Sequence, residues 1–151
     1  MLSVRRVEAE RTWALRQRIL RPQQTVAEMN FPGDFDETTA HFGGFVGEEL
    51  LGVASVYLKA NAMFEAARRQ WQLRGMATAD AGRGCGLGGL ILDACLSHAR
   101  DSGGGLLWCN ARTPVLGFYE RYGLRVVSEE FTPPGLGPHR VMVVDLDAPG
   151  V

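Results

Sequence analysis

The chain has 151 residues, the usual size of one domain, and its 46% hydrophobic and 22% charged residues are ordinary for a soluble globular protein. A formal net charge of −1 gives no electrostatic case for a nucleic-acid partner. Three cysteines (Cys85, Cys95, Cys109) without C-x-x-C spacing argue against a disulfide framework or a closed zinc site, so no metal is expected and reduced thiols suit the cytoplasm. The start Met1-Leu-Ser-Val-Arg-Arg is followed by Val7-Glu-Ala-Glu-Arg-Thr-Trp, far too charged for a signal sequence. No apolar run approaches the roughly 18 residues of a membrane span, since Asp93 interrupts the longest, and no membrane partner is expected.

In chain order, residues 4–8 read as a short strand and residues 10–20 as a helix stopped by Pro22. Residues 41–59 form a hairpin that turns at Gly47-Glu-Glu, and residues 60–69 are a short helix or a loop. Residues 71–78 are the next strand, followed by the turn Ala81-Gly-Arg-Gly-Cys-Gly-Leu-Gly-Gly. A helix over residues 86–102 would face the sheet with Leu87, Leu90, Ile91, Ala94, Cys95 and His98. After Gly103-Gly-Gly come a strand over 106–110, a helix opened by Pro114 and closed by Gly123, and strands over 124–131 and 140–145. The order is β, α, β-β-β, α, β, α, β-β, hence one mixed sheet covered by helices.

The glycine-rich turn before an amphipathic helix has a specific use. Glycine tolerates positive φ and lets a ligand approach the backbone. The first helical turn offers free N–H groups and partial positive charge, a site for phosphate. Gly84-Cys-Gly86-Leu-Gly88-Gly89 formally matches the dinucleotide fingerprint G-x-G-x-x-G, but in the wrong context. Several residues separate it from its strand, and Asn110 stands where an acidic ribose ligand would end the next strand. A P-loop fails because no Gly-Lys-Ser/Thr occurs.

Arg83-Gly-Cys-Gly86-Leu-Gly88 resembles the R/Q-x-x-G-x-G/A signature of the GNAT (N-acetyltransferase) superfamily. Gln72-Leu-Arg-Gly-Met-Ala-Thr resembles that family's fourth strand. Asn110-Ala-Arg-Thr-Pro-Val-Leu-Gly-Phe-Tyr119-Glu-Arg-Tyr-Gly123-Leu resembles its fifth strand and fourth helix, with Leu124 in place of the more usual phenylalanine. The segment Phe131 to Met142, containing Gly137-Pro-His139-Arg, is similar to a bacterial ElaA-like branch. The resemblance implies an α/β (α+β) fold in a single domain, residues 1–151. It also implies a largely antiparallel sheet of about six or seven strands, splayed between the fourth and fifth and flanked by about four helices.

The resemblance implies acetyl-CoA as cosubstrate and a primary amine, on a small molecule or a protein, as acceptor; it leaves homodimerisation open. Amides of Arg83, Gly84, Gly86 and Gly88 would hold the pyrophosphate, while Met76, Ala77 and Thr78 would pair with the pantetheine like an added strand. One amide of that strand would polarise the thioester carbonyl. Gly75 is the place for a bulge, and Asn110 would hydrogen-bond the pantetheine. Tyr119 is the candidate proton donor to the departing thiolate, since a phenol holds its proton at neutrality. His139 is the candidate base or substrate contact; Glu130 or a water chain is the alternative. The i+3 offset of Tyr122 points it elsewhere, and Arg16, Arg74 and Arg112 could steer an acidic substrate. A non-catalytic acyl-CoA-binding module is the other class of function.

Overall fold

Alternating apolar residues and short turns place seven strands in one sheet. The structure is a computed structural model that describes residues 1–147; the last four residues of the expected single domain lie outside the described residues. The strands are β1 (Leu2–Arg6), β2 (Ala40–Val46), β3 (Glu49–Leu58), β4 (Gln70–Thr78), β5 (Leu106–Arg112), β6 (Arg125–Val126) and β7 (His139–Asp145), in the order β1-β2-β3-β4-β5-β7-β6. All neighbours are antiparallel except β4 and β5, which are parallel. Three α-helices accompany them, α1 (Glu10–Leu15), α2 (Leu87–Asp101) and α3 (Leu116–Glu120), with 3₁₀ turns at Val26–Met29, Asp80–Gly82 and Thr113–Val115. Residues 60–69 form turns rather than a helix.

The helix expected over residues 10–20 changes character at its middle. After α1 the chain makes a single π turn, Arg16–Leu20. Such wide turns inside helices recur at functional sites, and this one carries Arg16 into the core while Ile19, Leu20 and Arg21 reach the cleft described below.

The face α2 buries is rotated from the expected stripe. Leu87, Ile91, Leu92, Cys95, Leu96 and Ala99 are buried, whereas Leu90 is 43% exposed. Two glycines paired across β2 and β3, Gly44 and Gly52, fix this rotation. A Cβ at either would stand 2.6 Å from Ile91 Cδ1, so together they form the dent that Ile91 fills. His98 sits edge-on between Phe42 and Trp71, with ring centroids 5.9 Å away in both cases.

The strand expected over residues 124–131 is cut to two residues. Past Val127 the ladder is interrupted because the Val141 N–H donates to the Ser128 hydroxyl, 2.8 Å, instead of to a main-chain carbonyl. The chain then leaves the sheet through Pro133-Pro-Gly and returns at the Phe131–His139 bridge.

The decisive irregularity lies in β4. Val53 pairs with Ala77 and Ser55 with Arg74, so β4 spends three steps where β3 spends two. The extra residue is accommodated at Gly75, φ +68°, a bulge that glycine adopts at no steric cost. It shifts the phase of the strand. Before it, Arg74 lies over Phe31; after it, Met76 reaches Tyr119 and the start of α2. Gly75→Ala is expected to cost about 1–2 kcal/mol from the left-handed backbone. A further loss follows because the new Cβ would lie 2.9 Å from Arg16 Nε. Urea denaturation would read it as a lowered midpoint at unchanged slope.

Candidate active site

β4 and β5 pair at only three positions, Gln70–Leu106, Trp71–Leu107 and Gln72–Trp108. Beyond them β4 runs on to Thr78 and β5 to Arg112 without meeting again, while β5 keeps its ladder with β7 to the end. The right-handed twist and the Gly75 bulge thus open a fork whose inner edges carry main-chain groups without strand partners. The fork is the floor of a cleft of about 1490 Å³.

The eight residues expected to hold the cosubstrate, together with Tyr119 and His139, all line this cleft. Met76, Ala77 and Thr78 form one prong and Asn110, exposed, stands on the other. Arg83, Gly84, Gly86 and Gly88 border its mouth, Tyr119 rises from α3, and His139 begins β7.

The turn is built to present amides. Gly86 caps α2 at φ +87°, and Gly84 is also left-handed at +79°, with nothing within 4 Å of where either Cβ would be. Both are glycine for backbone conformation alone. The first helical hydrogen bond is Leu90 N–H to the Gly86 carbonyl, 3.2 Å. Among the described residues, the six N–H groups from Gly84 to Gly89 therefore have no main-chain acceptor. The Arg83 amide differs from expectation: it closes the preceding turn onto the Asp80 carbonyl at 3.1 Å and is already committed. The Arg83 side chain, 60% exposed, donates from Nε to the Thr78 carbonyl and lies 3.4 Å from Asp80. Cys85 is exposed and donates its thiol to the Gly82 carbonyl.

Tyr119 is buried, and its hydroxyl contacts Met76 Sδ at 3.7 Å. Burial pushes the phenol well above its ordinary value. The neighbouring Cys109 and Cys95 add to this, and Arg112 opposes it. Tyr122 corrects the helical-offset argument. The helix ends at Glu120, and Tyr122 also lines the cleft, its hydroxyl lying over Gly89 where a Cβ would stand. Phe118 packs between both tyrosine rings, at 5.2 and 5.5 Å.

His139 is buried and stacked on Phe131, 5.9 Å between centroids. Its Nδ1 lies 2.9 Å from the Gly137 carbonyl, which can only accept, so Nδ1 carries the proton and Nε2 of the neutral ring keeps its lone pair. Glu130 is exposed, accepts from the Thr113 hydroxyl at 3.0 Å and does not line the cleft. Arg16 is likewise outside the cleft, fully buried on Asp34 at 2.7 Å. Arg74 and Arg112 do line it, together with Arg21 and Gln72, which composition and spacing did not single out. Gln72 is the last β4 residue paired with β5, and its buried Oε1 has no hydrogen-bond partner.

The acetyltransferase (GNAT) family profile matches residues 7–124. The chain is 34% identical over 142 residues to the uncharacterized N-acetyltransferase YitI of Bacillus subtilis (strain 168), covering 94% of this chain and 95% of that protein. Its fold is similar to Escherichia coli ElaA, with a TM-score of 0.75 at 17% identity over 95% of this chain and 99% of the other. It is also similar to FeeM, an N-acyl amino acid synthase from uncultured soil microbes, with a TM-score of 0.76 at 13% identity over 97% and 91%. Fork, glycine turn, profile and close relative agree: the chain belongs to the acetyltransferase (GNAT) family and is an acyl-CoA-dependent N-acyltransferase.

Proposed function

We propose that the chain, acting as one domain in the cytoplasm, transfers an acetyl group from acetyl-CoA to a primary amine. The observation that carries this is the fork: unpaired main chain on two diverging strands, leading away from six successive free amides at the start of α2. That arrangement fits a long molecule with a diphosphate at one end and an extended amide arm at the other.

Gly84, Gly86 and Gly88 hold the diphosphate oxygens through their amides, and the Arg83 side chain assists at the rim. Met76, Ala77 and Thr78 pair with the arm as a strand edge does, and Asn110 hydrogen-bonds it from the facing prong. Bound acetyl-CoA supplies an activated thioester. A β4 amide past the bulge donates to the thioester oxygen where negative charge develops. His139 Nε2 is the acceptor for the proton the amine must lose, and Tyr119 holds the proton that the departing sulfur needs.

Calorimetry with acetyl-CoA and with NAD, followed by a thiol-release assay over an amine panel, tests the proposal. Acetyl-CoA should bind, NAD should not, and thiol should appear with at least one amine. Binding of acetyl-CoA with silence across every amine would favour a binding module over an enzyme with this specificity. No binding of acetyl-CoA would end the proposal.

No helix among the described residues is long and apolar enough to cross a membrane.

A further inference from the structure

One wall of the cleft holds three guanidinium groups that acyl transfer leaves unused. Arg21 follows the π turn, Arg74 precedes the bulge and Arg112 ends β5; all three line the cleft and are half-buried. Phe31 is their hub. The guanidinium carbons of Arg74 and Arg21 stand 4.1 and 5.1 Å from its ring centroid. Arg112 donates from Nη2 to the Leu20 carbonyl at 2.8 Å, which holds it beside Arg21.

Among the described residues none of the three forms an ion pair. Asp34, whose charge reaches Arg74, is already gripped by Arg16 through bonds of 2.7 and 3.1 Å. Arg21 and Arg74 also feel the neighbouring positive charges. Burial lowers the affinity of Arg21 for its proton, and the charges of Arg112 and Arg16 lower it further. Burial does the same to Arg74, with Arg21 and Arg16 adding to it and Tyr57 and Asp34 opposing.

Half-desolvated like charges repel, and an anion would relieve that cost. The planar fork of arginine suits the oxygens of a carboxylate or a phosphate. Gln72 stands two residues before Arg74 on the same side of β4, about 7 Å away along the strand. It carries the unpartnered Oε1 at the point where β4 and β5 part. A polar group is thus waiting near the reaction centre, one small-molecule length from the cationic wall.

Resting on the acyl-transfer assignment above, we propose that the acceptor is a small amine that also carries an oxyanion. Arg74, Arg21 and Arg112 grip the oxyanion while the amine turns toward Gln72 and the fork.

The test is thiol release measured on matched pairs that differ only in the anion: phenylalanine against phenethylamine, and phosphoethanolamine against ethanolamine. At least one anionic member should exceed its neutral partner in kcat/KM by roughly ten- to a hundredfold, the range of a charge-assisted hydrogen bond. The pair that shows it separates carboxylate from phosphate. In Arg74→Gln that ratio should fall toward one while the Kd for acetyl-CoA stays as in the wild type.

Equal or reversed preference in the wild type would overturn the inference and leave acyl transfer standing. A loss of acetyl-CoA affinity in Arg74→Gln would overturn it too, by assigning the arginines to the donor. If no amine turns over, thermal stabilisation of the CoA-bound wild type by each member of a pair decides instead. Greater stabilisation by the anionic members supports the inference, and no difference ends it. Failure of acetyl-CoA itself to bind would sink the acyl-transfer assignment instead.

Discussion

Tyr119→Phe should lower kcat by about 10²–10⁴, the usual contribution of a positioned general acid, and leave the Kd for acetyl-CoA unchanged. Among the described residues the one hydrogen-bond contact of the hydroxyl is with Met76 Sδ, at 3.7 Å. A contact that weak contributes little to folding, so the variant should unfold at nearly the wild-type denaturant concentration. If the phenol merely filled space, its removal would be equally quiet in kinetics. Burial raises its pKa above the ordinary phenol value, with Cys109 and Cys95 reinforcing the shift. The form needed for donation is the protonated one, and a raised pKa keeps it filled. Ionisation of this group therefore should not turn kcat down on the alkaline side until well past pH ~10. Tyr122→Phe is the informative partner, because Tyr122 lines the same cleft. A large fall there with Tyr119→Phe near wild type would move the donor role to Tyr122.

The glycine-rich turn was legible in the sequence because it needs a backbone conformation that glycine adopts freely: Gly84 and Gly86 have positive φ and nothing within 4 Å of where a Cβ would be. The bulge at Gly75 was legible for the same reason. The order of elements followed from period and punctuation. What composition and spacing could not give was the result of distant packing. Which side of α2 is buried depends on two glycines in other strands, Gly44 and Gly52, and not on the periodicity of α2 itself. The arginine wall joins residues 21, 74 and 112 through Phe31 and the Leu20 carbonyl. No local pattern links them, and none sets Arg74 and Arg112 apart from Arg16, which also lies over Phe31 but is fully buried on Asp34. The π turn that separates Arg16 from Arg21 has no distinct composition. The short β6 depends on one serine hydroxyl capturing a ladder amide.

Asp34→Ala should cost about 3–5 kcal/mol in urea denaturation, the range for removing one partner of a buried ion pair. Arg16 and Asp34 side chains are both fully buried. Arg16 also donates to the Met29 carbonyl, the Ser55 hydroxyl and Tyr57 Oη, and Tyr57 donates to Asp34 Oδ1. Deleting the carboxylate leaves a guanidinium in the core with neutral acceptors only.

The same cluster sets the acid side of the stability profile in two steps. Burial lowers the pKa of His41, whose Nε2–H donates to the Asp34 carbonyl while Nδ1 accepts from Ser55; the charges of Arg16 and Arg6 lower it further, and Asp34 opposes. Burial and Arg6 likewise lower His98, against Asp101. Both rings hold a proton less readily when folded, so the unfolded chain binds more protons once pH falls below ~6.5, and stability declines from there toward the folded pKa values. Burial alone would raise the Asp34 carboxyl, but hydrogen bonds from Arg16 and Tyr57, the Arg16 charge and the Phe31 amide outweigh it, and its pKa is lowered. Its stabilisation is complete above the unfolded value of ~3.9 and is lost as pH falls through the lower folded value. Unfolding free energy measured from pH 8 to 3 should therefore fall first below about 6.5 and again below about 4. His41→Gln should flatten the first decline and keep the second; an unchanged first decline would assign it entirely to His98 and the exposed groups.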